Sequence, residues 1–413
     1  MIKEQKTKLT IPSSYDDKLL EGLVKLNREN NNIYELFGSL QVSPTGSSRS
    51  VFEEECRTRE QLERYVEKIH CGGFKFNYII NASCLGNKEY DLKYRGDLLG
   101  YLEWVSNSSD SVTIAMPYLA DLMINEFSTP VVASTVAGID SVKKAVMWDE
   151  VGVERIVLDF SANRDFELLE NIVDSVNCEV ELILNDGCLF RCPYRQFHSN
   201  VVSHSSQGVF WLPYEVLKCS LQRAKHPEEY VKTPWIRPED LKYYRELGIK
   251  HFKISGRGKS TEFILNCARA YSGENYDGNL ADLLTLVTVS SHFIGDAMVD
   301  EKLDVFIDNR KLDGFIEFFK NHKCVNCKKC NYCDKVASDA VRIKGDLAGY
   351  IRELENLLSF SLHFEKKRYR NKYRLMKAVS DTCSEGLMPL SVLKKLSGIS
   401  KPFSSKIMKN NLL

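Results

Sequence analysis

No stretch of this sequence approaches the ~20 consecutive apolar residues that a membrane-spanning helix requires, so the reading is of a chain with no helical membrane span. Met1 to Ser14 lacks the apolar core of a secretory signal, and the expected location is cytoplasmic. Neither sign of charge is in surplus: 56 Lys and Arg stand against 56 Asp and Glu, so bulk electrostatics draw the chain toward neither nucleic acid nor membrane. An anionic partner would have to be met by a local patch. No G-x-G-x-x-G follows the first predicted strand, which removes the usual dinucleotide turn. H-E-x-x-H and G-x-S-x-G are missing as well, so the commonest zinc-peptidase and serine-hydrolase arrangements are not indicated.

What the chain does have is β-rich runs with amphipathic helical patterns between them. Eight runs are visible: 8–12, 32–38, 74–81, 111–117, 130–134, 155–161, 179–186 and 251–256. Near-continuous apolar strands alternating with helices predict a parallel sheet covered by helices, and eight such units close a barrel. The fold class is therefore α/β, a (β/α)8 TIM-like barrel over residues 1–275, with an open doubly wound sheet as the competing arrangement. A rim insertion at about 196–241 delays the last strand, and residues 276–413 read as a helical, cysteine-rich region ending in a basic tail. Polar residues directly after apolar runs, Ser13, Glu35, Asn81, Ser134, Asp159, Asn185, Asp186 and Ser255 among them, become candidates for the mouth, each with a helix cap as its bland alternative.

Cysteine is abundant, at 13 residues, an odd number that suits reduced thiols and metal ligands better than disulfides. Cys324, Cys327, Cys330 and Cys333 form an unbroken C-x2-C-x2-C-x2-C run. Zinc knuckles usually place a dozen or more residues between two C-x2-C pairs, so an iron–sulfur cluster is the expected occupant and zinc the competitor. Cys188 and Cys192 follow the seventh predicted strand in N-D-G-C-x3-C-P-Y-R, and Cys219 in the insertion is a plausible third ligand. The expected cofactor is an iron–sulfur cluster of the 4Fe-4S kind, one spanning both blocks or two separate ones. Cys56, Cys71, Cys84, Cys178, Cys267 and Cys383 are read as small buried hydrophobes.

N-D-G-C-x3-C-P-Y-R after one strand, followed beyond the insertion by H-F-K-I-S-G-R-G-K-S, resembles the U32 peptidase-like proteins, whose usual phrase is close to F-K-I-E-G-R-x-K-S. Phe252, Lys253, Ile254, Gly256, Arg257, Lys259 and Ser260 match it, while Ser255 replaces the glutamate. The resemblance implies a barrel with a four-cysteine iron–sulfur cluster. It also implies oxygen-independent hydroxylation of an RNA base or a quinone precursor, other members carrying an older collagenase-like peptidase label.

Three functions follow as expectations: an iron–sulfur hydroxylase or related redox tailoring enzyme, a U32-type peptidase, and a non-catalytic electron-transfer or scaffold protein. For the first, Asn185, Asp186, His198 and Arg257 are the candidate catalytic groups. Arg191, Arg195 and Lys259 would bind substrate through charge-assisted bonds. The substrate would be a small molecule, a peptide or RNA, an electron donor protein is a possible partner, and no membrane is involved. Residues 366–377, with seven basic residues, no acid and two tyrosines, suit an RNA backbone, a solvated helix face being the plainer reading.

Overall fold

The computed structural model of this protein describes residues 6–41, 43–48, 58–286, 303–371, 373–374 and 377. Eight parallel strands close a barrel in sequence order: β1 (Lys8–Pro12), β2 (Ile33–Gly38), β3 (Lys75–Ile80), β4 (Ser111–Ile114), β5 (Val131–Ala133), β6 (Arg155–Val157), β7 (Glu179–Ile183) and β8 (His251–Lys253). Pairing of Lys8 with His251 and of Thr10 with Lys253 joins the last strand to the first. All eight strands read from the sequence are present, and the open sheet is excluded. The last six end one to four residues early, because the final residues of those runs leave the ladder to form the loops of the mouth.

The covering helices are built locally in the expected way. Helix Asp17–Asn30 starts where the Asp16 carboxylate accepts from the Lys18 N–H, and it buries Leu19, Leu20, Leu23 and Leu26, spaced to lie on one face. Helix Arg59–Cys71 opens on a capping box between Thr58 and Gln61. Outward-facing strand residues such as Leu9, Ile11, Leu36 and Phe76 pack against these helices with no solvent exposure.

The barrel interior is more polar than the branched aliphatic filling usual in such barrels. Thr10, Glu35, Arg155, Glu181, His251 and Lys253 are all buried. Arg155 donates to Glu35 at 2.5 Å and lies 3.5 Å from Glu181, while the Thr10 hydroxyl donates to Glu181 at 2.6 Å. Glu35, read as a mouth residue, thus lies inside the barrel. Its carboxyl is pushed up by burial, against the pull of Arg155.

His251 accepts from Arg155 through Nδ1 at 2.8 Å, and burial, Arg155 and Lys8 push it down to about 2. It is therefore neutral in the folded state, while the unfolded chain protonates it below about pH 6.5. Its stabilising contribution is complete above that pH and is lost as pH falls. Replacing His251 with Gln is expected to flatten the acid limb of the stability curve by about 1.4 kcal/mol per pH unit, read from urea unfolding between about pH 6.5 and 4.5.

The insertion contributes helices Arg195–Ser205, Tyr214–Lys225 and Glu229–Lys232. Helix Leu347–Leu362 from the far end of the chain packs on it through Tyr350, Leu354 and Leu357 against Val216, Leu217 and Trp211. Residues beyond 275 also share the main core, with Ile307, Phe315 and Phe319 packed into it. This region is not purely helical: β9 (Asp304–Ile307) and β10 (Val341–Lys344) pair antiparallel on either side of the cysteine run. Among the described residues no helix is long and apolar enough to cross a membrane.

Candidate functional site

Three mouth loops, after β5, β6 and β7, meet around a cleft of about 320 Å³ lined by Asp140, Asp159, Asp165, Arg191, Cys192 and Arg195. The loop after β7 is anchored first. Asn185 is fully buried: its Oδ1 accepts from the Ser255 N–H at 2.7 Å, and its Nδ2 donates to the carbonyls of Leu283 at 2.9 Å and Ser255 at 3.1 Å. With its polar atoms committed to backbone, Asn185 clamps the ends of β7 and β8 together and is a positioning residue, where sequence reading had it catalytic. Ser255, standing where the family phrase has glutamate, is one jaw of that clamp. Asp186 accepts from the Cys188 N–H at 2.9 Å and sets the direction of the next turn.

Gly187 allows this loop to cross residues 285–286. A Cβ there would stand 2.6 Å from the Thr285 carbonyl oxygen and 2.8 Å from the Leu286 Cα, both backbone atoms with little freedom to yield. Gly187→Ala is expected to destabilise the protein by about 1–3 kcal/mol, as overpacking does, which a thermal melt measures.

Cys188 and Cys192 sit on a turn rather than a helix. Arg191 takes a left-handed backbone at φ +49°, Pro193 follows, and helix Arg195–Ser205 begins only afterwards. The turn brings Cys192 back toward the barrel. Cys219, on helix Tyr214–Lys225 of the insertion, lies in electrostatic range of both Cys188 and Cys192. Burial pushes the Cys188 and Cys219 thiols up; Asp186 adds to it at Cys188, and Arg223 opposes it at Cys219.

Arg223, one turn beyond Cys219, is 3% exposed, and none of its three guanidinium nitrogens has a hydrogen-bond partner. A buried guanidinium left unpaired is costly, so it marks a place where an anion belongs. Among the described residues no three Cys, His, Asp or Glu side chains converge on a single-ion site. Three neighbouring thiols beside an orphaned arginine supply the donors and the counter-charge that an anionic thiolate-bound cluster needs. Sequence reading missed Arg223, since nothing in its surroundings marks it as buried.

The other candidates are placed as follows. Arg195 donates to the Thr135 carbonyl and hydroxyl at 2.9 and 3.0 Å, pairs with Asp159 at 3.2 Å and stacks on Phe160. It is a bolt across three mouth loops that also faces the cleft. Asp159 and Ser134 are caps as well as mouth residues, accepting from the N–H groups of Ser161 and Val136. His198 stacks near Trp211 in the insertion, outside the cleft lining. Arg257 is buried and donates to the Ser39 hydroxyl at 2.8 Å, whereas Lys259 is exposed beside Phe263. Lys253, overlooked as a site residue, is buried over the Phe37 ring at 4.1 Å and is pushed down to about 8 by burial.

Cys324, Cys327, Cys330 and Cys333 line one small cavity of their own, with Phe318, Phe319 and Tyr332. Cys267 is buried as expected, but Cys71 is exposed and Cys84 and Cys178 are partly so, because they stand at element ends; Cys56 and Cys383 lie outside the described residues. In the basic segment, Tyr369 packs on Phe360 and Tyr373 stacks on Phe364 at 4.7 Å, so both rings are occupied within the chain.

Comparison with known proteins places these features. A model of peptidase family U32 matches residues 47–278, an interval that holds Cys188, Cys192 and Cys219 and stops before Cys324. An uncharacterized protease of Methanocaldococcus jannaschii is 37% identical over 292 residues, covering 69% of this chain and 82% of its own length. A solved U32 peptidase structure is 20% identical, spans 61% of this chain and 94% of its own, and superposes with a TM-score of 0.46. An aldolase of Escherichia coli K12 spans 60% of this chain and 93% of its own at 10% identity and a TM-score of 0.30.

Proposed function

The chain belongs to peptidase family U32, and from that premise we propose that it is a tailoring enzyme working through an iron–sulfur cluster held at the barrel mouth by Cys188, Cys192 and Cys219. The observation that carries this reading is Arg223, buried and without a partner one helical turn from Cys219. A cluster bound by thiolates is anionic, and its charge is what the guanidinium lacks.

When bound, such a cluster supplies one-electron transfer. The residues around it have the remaining tasks. Asp186 and the Asn185 clamp fix the turn that carries Cys188. Arg191 and Arg195 present positive charge to the cleft, where a carboxylate, phosphate or enolate of a substrate would be bound. Asp140, Asp159 and Asp165 on the facing loops offer hydrogen-bond acceptors that would orient hydroxyl or amine groups.

The reaction class is hydroxylation without O2. With water as the oxygen source, a C–H bond and one water give C–OH, two protons and two electrons, the electrons leaving singly to a redox partner protein. RNA and quinone-precursor substrates both carry anionic or carbonyl groups that Arg191 and Arg195 would meet in this mixed-charge cleft. An RNA contact along 366–377 would rest on lysines and arginines, since Tyr369 and Tyr373 are already packed. Peptide hydrolysis is the competing reading and rests on the names of the family and its relatives. Against it, the deeply buried His251 is tied to Arg155 and kept neutral inside the barrel, where it cannot serve as a base for a peptide in the cleft.

The test is anaerobic purification, iron and sulfide counts, and mass spectrometry of RNA, quinone precursors and peptides after incubation with an electron acceptor. Gain of one oxygen atom by a substrate, dependent on the cluster, is the expected result. Peptide cleavage by metal-free protein would overturn the proposal.

A further inference from the structure

We infer that Cys324, Cys327, Cys330 and Cys333 hold a second iron–sulfur cluster, separate from the thiols of the barrel mouth, with the buried Arg164 as its counter-charge. This inference does not rest on the function proposed above. It rests on where the four thiols and the arginine stand.

All four cysteines line a single cavity, which groups them as one candidate ligand set. A short helix, Cys327–Cys330, capped by Asn326, places two of them. The left-handed Asn331 at φ +54° then reverses the chain so that Cys333 faces back, and Cys324 closes the set from the preceding turn. Aromatic packing makes the wall rigid: Tyr332 stacks on Phe318 at 3.8 Å and on Phe315 at 5.6 Å. Only two residues separate successive cysteines, and no three of the thiols converge on a single-ion point. The short spacing favours a cubane or rhombic cluster over a zinc knuckle.

Arg164 supplies the independent observation. It is 6% exposed and lines the same cleft as Cys324, Cys327 and Cys333. Its Nη atoms donate to the backbone carbonyls of Val231, at 2.7 Å, and Thr233, at 2.7 Å, and its Nε has no partner. The guanidinium is sandwiched by Trp235 at 4.4 Å and Phe315 at 4.8 Å. Among the described residues no carboxylate forms an ion pair with it, and the groups that most favour its charge are Cys333 and then Tyr244 and Cys324. A cation in that apolar box needs an anion, and neutral thiols do not provide one; a thiolate-bound cluster does.

The two thiol sets are distinct. Cys188 responds to Cys219 and Arg195, and Cys219 to Arg223 and Cys192, whereas Cys324 and Cys333 respond to cysteines of their own run and to Arg164, with Arg191 acting on Cys324 as well. Ser161, Asp165 and Arg191 line both the mouth cleft and the cavity beside the run, and Arg191 is the cation among them.

The test uses the full chain purified without oxygen. Cys327 is exposed, so Cys327→Ser with Cys330→Ser removes two ligands at little packing cost. That variant is expected to lose about four irons and four sulfides per chain, or half that for a rhombic cluster, together with one wave of a redox titration. Cys188→Ala with Cys192→Ala is expected to keep that wave, which separates this inference from the function proposed above. Arg164→Met, which removes the cation, is expected to lower the reduced-to-oxidised ratio of the same wave about tenfold at fixed potential, 59 mV for one electron, and Arg164→Lys to restore most of it. Unchanged iron and sulfide in the Cys327→Ser, Cys330→Ser variant would overturn the inference, as would loss of zinc in their place or a wave indifferent to Arg164→Met.

Discussion

Replacing Cys188 and Cys192 together with alanine is expected to abolish the cluster at the barrel mouth: iron and sulfide fall by one cluster's worth per chain, and substrate turnover drops below detection. The magnitude follows from how such centres are held. A metal centre in a protein draws its binding free energy from several preplaced ligands at once, and removal of two thiolates leaves Cys219 without a chelate partner from the β7 loop. The fold should survive. The turn at 188–192 lies at the mouth, with Arg191 exposed and Cys188 and Cys192 only partly buried, and the Asn185 clamp beneath it is untouched. Far-UV circular dichroism and the urea midpoint should therefore change little while the visible absorption of the mouth cluster disappears. Cys71→Ser, at an exposed position at the end of its helix, is the control and should leave the metal content unchanged. Full iron in the double variant would remove Cys188 and Cys192 from the ligand set.

How far the sequence announced this site depends on which kind of information each residue carries. Strands were legible because burial imposes apolar runs, and the seventh run, 179–186, led directly to the cysteine turn although the strand itself stops at Ile183. It stops there because its partner β8 ends at Lys253; Leu184 and Asn185 go on into the clamp with Ser255. Pro193, directly after Cys192, disfavours a helix running through the two cysteines, and helix Arg195–Ser205 begins beyond it. The arginines were not legible. Arg164 and Arg223 look in sequence like any charged helix-flanking residue, and only tertiary packing reveals that one is boxed by Trp235 and Phe315 and the other stripped of partners beside Cys219. β9 and β10 were missed for a different reason: each has four residues, and they meet across the cysteine run that separates them in sequence.

The polar heart of the barrel could have been seen, because its signal is period two. Thr10 in β1, Glu35 in β2, Asn77 in β3 and Thr113 in β4 alternate with apolar neighbours, and the register sets Thr10 beside Glu35. Reading those strands as near-continuous apolar runs hid this alternation. The inward face carries charge that must be balanced internally, and Arg155 balances it.

Arg155→Met is accordingly expected to destabilise the protein by about 3–5 kcal/mol, the cost of removing one partner from a buried ion pair. Arg155 and both carboxylates are at most 2% exposed, so solvent screening offers no relief. Without the guanidinium, Glu35 and Glu181 face each other through the Thr10 hydroxyl with no strong counter-charge except Lys253, itself pushed down to about 8 by burial. The sign of the pH dependence distinguishes this mechanism from simple loss of packing. Carboxyls whose folded pKa is raised bind protons more tightly in the native state than in the unfolded chain, so the loss relative to the parent protein should be smallest in acid and grow as pH rises above about 4.5. A cavity left by a shortened side chain would cost the same at every pH. Urea midpoints of the variant from about pH 4 to 8 decide between them, and Glu35→Gln added to Arg155→Met should recover part of the loss at neutral pH by removing a charge that the barrel can no longer neutralise.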